Sequence, residues 1–258
     1  MPEPIAAASA AGGVSSHIAG GIAQVQFEHP KGNSLPAALL RALADEITGV
    51  GRNDDARVVL LRSGGAGPFC GGASFDEPRT IADETMGKEF FMGFARVILA
   101  MTRCPKPIVT RVQGKAVGGG LGIVAASDYV MAAETASVRL SELAVGIGPF
   151  VVGPAVERKV GRAEFAAMAI DADWRDAEWA ERHGLYAKLF DSVNALDAAL
   201  EMFVRNLAEA NPEAVAQIKR MTWADTADWP RLLEERAATS GRLVLSHFTR
   251  DAIAAFKR

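Results

Sequence analysis

Apolar positions come in short runs over the first third of the chain and recur at helical spacing beyond it. Residues 14–18 and 22–27 are rich in β-branched and apolar side chains, and Gly20-Gly21 between them predicts a hairpin turn. Leu39, Leu40, Leu43 and Ile47 fall at i, i+3, i+4 spacing, which predicts a helix with Asn33 and Ser34 as its caps and Pro36 in its first turn. Val58-Val59-Leu60-Leu61 is a continuous apolar run, as in a strand covered on both faces, and a glycine-rich loop follows over 64–73. A helix is expected over 86–101, stopped by Pro105 and Pro107; then come a strand over 108–112 and an apolar helix opened by Gly118-Gly119-Gly120. Residues 129–132 read as another strand, leading to a loop around Glu142. From 151 onward the pattern is mostly helical, with breaks at Asn211-Pro212 and Asp228-Trp229-Pro230 and an apolar face over 245–256. Strand and helix alternate as in an α/β domain with a parallel sheet.

Composition narrows the class. With 258 residues, 49% of them hydrophobic and 23% charged, the chain suits one soluble globular domain and neither disorder nor a fibre. A net charge of −3 gives no general attraction to nucleic acid or to an anionic membrane, so the expected partner is a small molecule whose anionic groups meet a local basic cluster. No apolar stretch approaches the roughly 20 residues that span a bilayer. Cys70 and Cys104 have neither redox nor metal-ligand spacing, so reduced thiols and a cytoplasmic location are expected. Residues 1–13 are rich in Ala, Gly and Ser without the marks of a signal peptide, and are expected to be a mobile tail. His17, His29, His183 and His247 are scattered, so no metal site is expected.

Chemistry concentrates at three places. Phe69-Cys70-Gly71-Gly72-Ala73 and Ala116-Val117-Gly118-Gly119-Gly120-Leu121-Gly122 each follow an apolar strand, and glycine there lets backbone N–H groups approach a ligand and hold a developing oxyanion. The third is Ser141-Glu142-Leu143-Ala144-Val145-Gly146-Ile147-Gly148-Pro149, a lone carboxylate in an apolar loop. Loss of hydration makes it a candidate base. Ser74 lies outside any nucleophile elbow, which needs glycine two residues after the serine, and reads as structural.

In order and spacing these segments, with the strand region ending at Pro30 and the Asn33-Ser34-Leu35 helix start, resemble the enoyl-CoA hydratase/isomerase, or crotonase, superfamily over nearly the whole chain. The resemblance implies an α/β fold with a ββα-superhelix spiral core (ClpP-like) over 14–190, and a C-terminal helical trimerisation region over 191–258. It implies an acyl-CoA substrate, coenzyme A being part of that substrate rather than a separate cofactor, and a homotrimer or a hexamer of two trimers. Ala73 and Gly119 take the place of the oxyanion donors and Glu142 that of the acid/base. Gly71, Ala73, Lys31 and the terminal Lys257 are the expected CoA contacts, and Phe94, Gly122, Pro149 and Phe150 the expected acyl pocket.

The sequence also departs from that pattern. Hydratases of the superfamily hold water between two glutamates, and the first of these falls on Gly122. One base suffices to move a proton between C2 and C4 of an enoyl thioester, so Δ3,Δ2-enoyl-CoA isomerisation is the expected activity. Hydration with a single glutamate, including methylglutaconyl-CoA-type hydration, remains an alternative. So do acyl-CoA hydrolysis, although the related hydrolases carry aspartate where Phe150 stands, and a catalytically silent CoA-binding role. Phe90, Phe91, Met92 and Ile98 are further candidates for the pocket wall. Ser74 replaces an aspartate common in the superfamily.

Overall fold

The computed structural model describes residues 12–74 and 77–255, and for Arg79 the backbone alone. Gly20 and Gly21, both at positive φ, turn strand β1 (Gly13–Ala19) directly into β2 (Ile22–Glu28), with Ala19 paired to Ile22. Helix α1 (Ala37–Arg52) returns the chain to β3 (Val58–Ser63), which pairs parallel to β2. Helix α2 (Glu84–Arg103), opened by Asp83 accepting from the Met86 N–H, leads to β4 (Ile108–Val112). The two-residue β5 (Ala116–Val117), α3 (Gly119–Ala125) and β6 (Tyr129–Ala133) follow. A six-stranded sheet runs β1-β2-β3-β4-β6-β9, where β9 is Lys188–Phe190, and only the β1–β2 pair is antiparallel.

The sheet buries both faces. Val25, Phe27, Val59, Leu61 and Val112 join the main core, against which α1 and α2 pack. Val58, Leu60, Val109 and Met131 point the other way, onto α7 (Val193–Glu209). This explains the unbroken apolar run at 58–61. A small second sheet joins β5 to β7 (Ser137–Arg139) and β8 (Arg175–Asp176). The remaining helices are α4 (Gly153–Val160), α5 (Arg162–Asp171), α6 (Ala177–Arg182), α8 (Pro212–Thr222), α9 (Trp229–Leu243) and α10 (His247–Ala255).

Two expectations need correction. Asn33 and Ser34 do not cap α1. Asn33 sits at φ 56°, its Oδ1 accepting from the His29 N–H and its Nδ2 donating to the carbonyls of Gly64 and Pro68, so it ties loops together. The helix begins after Pro36, and the carboxylate of Glu77, forty residues on, accepts from the Ala37 N–H at 2.9 Å. The part beyond 151 is mostly helical, as expected; its two strands, β8 and β9, are two and three residues long and carry charges, so no period shows. Finally, β1 already begins at Gly13, inside the expected tail; residues 1–11 lie outside the described residues.

Among the described residues no helix is long and apolar enough to cross a membrane, and no group of His, Cys, Asp or Glu is arranged to hold a metal ion. Cys70 and Cys104 are free and buried.

Candidate active site

The two glycine-rich loops meet at the ends of the core strands. Residues 71–74 run beside 32–35: the Leu35 N–H donates to the Gly72 carbonyl at 2.8 Å, and the Ser74 N–H donates to the Leu35 carbonyl at 3.2 Å. In such a parallel bridge, the residue between those two groups turns its own N–H to the opposite side, so the N–H of Ala73 points away from Leu35. Gly72, at φ +88°, brings this strand onto the second loop: a Cβ there would stand 2.9 Å from the Val117 carbonyl oxygen and 3.7 Å from the Gly119 nitrogen. Gly119 opens α3, and its N–H therefore has no acceptor within the helix.

Glu142 completes the group. It stands just ahead of a short 3₁₀ turn, Leu143–Val145, and its carboxyl lies against Gly118: Oε1 is 3.1 Å from where a Gly118 Cβ would be. Gly118 itself has φ 52° and ψ −116°, a conformation only glycine takes without strain. The Glu142 residue is half-buried, but its Oε2 is shut off from solvent and has no hydrogen-bond partner. Removal from water pushes the carboxyl up to about 7, while the backbone N–H groups of Glu142 and Ser141 pull it down less strongly. Such a group exchanges a proton near neutrality.

One apolar cavity of about 100 Å³ takes in Ala73, Gly119, Glu142, Phe94, Pro149 and Phe150, and Gly71 also lines it. The Phe94 ring covers the Gly119 Cα so closely that a Cβ there would come within 2.3 Å of it. Phe90 and Phe91 line the cavity as well, whereas Met92 packs against the core and Ile98 lies wholly within it. Gly122 is a correction: it does not line the cavity. A Cβ at that position would meet Val152 Cγ1 at 2.5 Å and Val152 Cβ at 2.9 Å, and it is Val152 that forms the wall. Lys31 is exposed and lies off the cavity, and Lys257 falls outside the described residues. Sequence reasoning missed Ser240 of α9, Val244 just after it and Ile253 of α10, which also line the cavity. Nothing local marks them, because only the path of the C-terminal helices brings them there.

A sequence model described as enoyl-CoA hydratase/isomerase matches residues 17–253. A hydrolase of (7aS)-7a-methyl-1,5-dioxo-2,3,5,6,7,7a-hexahydro-1H-indene-carboxyl-CoA from Mycobacterium tuberculosis is 32% identical over 155 residues, 59% of this chain and 62% of that protein, so the chain spans less than two thirds of that relative. Carnitinyl-CoA dehydratase from Salmonella agona is 26% identical over 89% of this chain and 86% of its own. Among solved structures, an enoyl-CoA hydratase from Bacillus halodurans superposes with a TM-score of 0.86 over 94% of this chain and 99% of its own, at 19% identity, a likeness of fold. One titled a putative enoyl-CoA hydratase, from Mycobacterium avium paratuberculosis, gives 0.83 at 25% identity over 95% and 96%.

Proposed function

Since the chain belongs to the enoyl-CoA hydratase/isomerase family of the crotonase superfamily, we propose that it isomerises a 3-enoyl-CoA to the conjugated 2-enoyl-CoA with Glu142 as its single acid/base. The thioester oxygen lies between the N–H groups of Ala73 and Gly119. The Glu142 carboxylate removes a proton from C2, and the electron pair spreads over C2, C4 and the thioester oxygen. The same carboxyl, now protonated, delivers its proton to C4. The double bond moves from C3–C4 to C2–C3, and no atom is gained or lost.

The observation that carries this reading is the partnerless, buried Glu142 Oε2 beside the two N–H groups, in a cavity where Val152 occupies the space a second glutamate would need. The competing reading is hydration or dehydration with one glutamate, favoured by the similarity to carnitinyl-CoA dehydratase across 89% of the chain. Offering 3-enoyl-, 2-enoyl- and 3-hydroxyacyl-CoA thioesters to the purified protein and to Glu142→Ala separates the two. Isomerisation predicts conversion of the 3-enoyl thioester, lost in the variant. Water addition to the 2-enoyl thioester without conversion of the 3-enoyl one would sink it, and free CoA release would indicate hydrolysis.

Gly71 and the exposed Lys31 are the proposed contacts of the CoA end. The proposed assembly is a homotrimer or a hexamer of two trimers, to be read from sedimentation; Ile218 and Met221, more than half exposed and three positions apart on α8, are an apolar surface it would cover.

A further inference from the structure

The proposed chemistry leaves one buried hydroxyl in the cavity unused. Ser240 is 1% exposed and lines the cavity, yet its hydroxyl makes no hydrogen bond to any described residue. Around it the wall is Phe90, Phe91, Val244 and Ile253. A hydroxyl that lines an apolar cavity and has no protein partner is available to a ligand oxygen.

The position of Ser240 follows from a helix crossing. Helices α2 and α9 touch backbone to backbone at Gly87 and Gly241, where a Cβ on Gly241 would come within 2.4 Å of the Lys88 nitrogen. Ser240 is thereby held at the level of Gly87. Seven residues further along α2, Phe94 covers Gly119 of the oxyanion pair. At 1.5 Å per helical residue, about 10 Å of α2 separates Gly87 from Phe94, and Phe90 and Phe91, whose rings line the cavity, lie between them. Those rings suit an acyl chain and not the amide-bearing arm of CoA, so Ser240 marks the far end of the acyl pocket.

We propose that Ser240 is a specificity residue, donating a hydrogen bond to an oxo or hydroxyl oxygen on the acyl group. An acyl chain running from the oxyanion pair along this stretch of α2 carries that oxygen several carbons beyond the thioester. The substrate class is then a short- to medium-length oxo- or hydroxyacyl thioester, open-chain or cyclic. The inference rests on the acyl-CoA reading above and sharpens it.

Calorimetric binding tests it apart from catalysis. The ligands are hexanoyl-CoA and its saturated oxo isomers with the keto group moved stepwise from the fourth carbon outward, none of which has a double bond to move. One isomer should bind roughly ten-fold tighter than hexanoyl-CoA, and this ratio should fall to about one in Ser240→Ala. Equal affinities in the wild-type protein, or a ratio that survives the substitution, would overturn the proposal. If no thioester binds, the acyl-CoA reading falls with it. An intact oxo preference without turnover of enoyl thioesters would instead remove only the isomerase reading.

Discussion

Glu142 carries the sharpest expectation at the scale of single residues, because its carboxyl is held near 7 by burial. The unprotonated form is the base, so kcat/KM for the 3-enoyl thioester should rise with pH and level off above an apparent pKa of about 7; a flat profile from pH 5 to 8 would remove Glu142 from the reaction. The same shift has a cost for the fold. A carboxyl whose folded pKa lies above its unfolded one favours the native state only while protonated. That contribution is complete below the unfolded pKa, about 4.3, and is lost as pH rises through about 7. Glu142→Gln should accordingly be more stable than the wild type at pH 8, by on the order of 2 kcal/mol, and no more stable at pH 4.

Gly122 yields the complementary prediction: Gly122→Glu should not restore a two-glutamate hydratase but should destabilise the protein by about 2–3 kcal/mol, because Val152 fills the space. Adding Val152→Ala should recover much of that loss in a urea titration. The two glycine-rich loops and the apolar loop around Glu142 were legible from the sequence because their signals are local, while the choice of Ala73 and Gly119 within those loops came from the family resemblance. The occupation of the Gly122 space by Val152 was not legible, since thirty residues and a chain reversal separate the two.

At the level of secondary-structure elements, legibility follows the length of the pattern. The β1–β2 hairpin and α2 could be read because glycine pairs, prolines and apolar periods announce them within a dozen residues. The start of α1 could not, as its Ala37 N–H is satisfied by Glu77 from a distant turn while Asn33, which has the chemistry of a cap, is spent on joining two loops. The α2–α9 crossing was equally hidden: Gly87 and Gly241 look like helix weakeners, and their value lies in the contact between them. Gly241→Ala tests this. In an exposed helix that change should stabilise by up to about 1 kcal/mol, whereas here the added methyl meets the α2 backbone and should cost about 2–3 kcal/mol, measured by thermal unfolding. It should also weaken acyl-CoA binding, because α9 carries Ser240, and Val244 just after its end, into the cavity wall.

Across the whole molecule, the helices that close the site must be fastened to the core that supplies its loops, and Lys219 does much of this at α8. Its ammonium group, 5% exposed, donates to the carbonyls of Met101 at 2.9 Å and Lys106 at 3.0 Å and to Asp128 Oδ2 at 2.7 Å. Asp128 in turn accepts from the Ile108 N–H and from Trp223 Nε1, each at 2.7 Å. One ion pair thus joins the end of α2, the start of β4, the start of β6 and α8. Lysine is rarely buried unless every donor is satisfied, and here three acceptors meet its three N–H groups. Lys219→Met keeps the length and the apolar stem but leaves Asp128 without its counter-charge and two carbonyls without a donor. The expected loss is about 3 kcal/mol, read as a lower urea midpoint with an unchanged slope. Because α9 follows α8 directly, loosening this anchor should weaken binding of acyl-CoA thioesters while leaving the apparent pKa of the Glu142-dependent step near 7. A shift of that pKa together with the fall in stability would mean that α8 shapes the surroundings of the carboxyl itself and not only the far wall of the pocket.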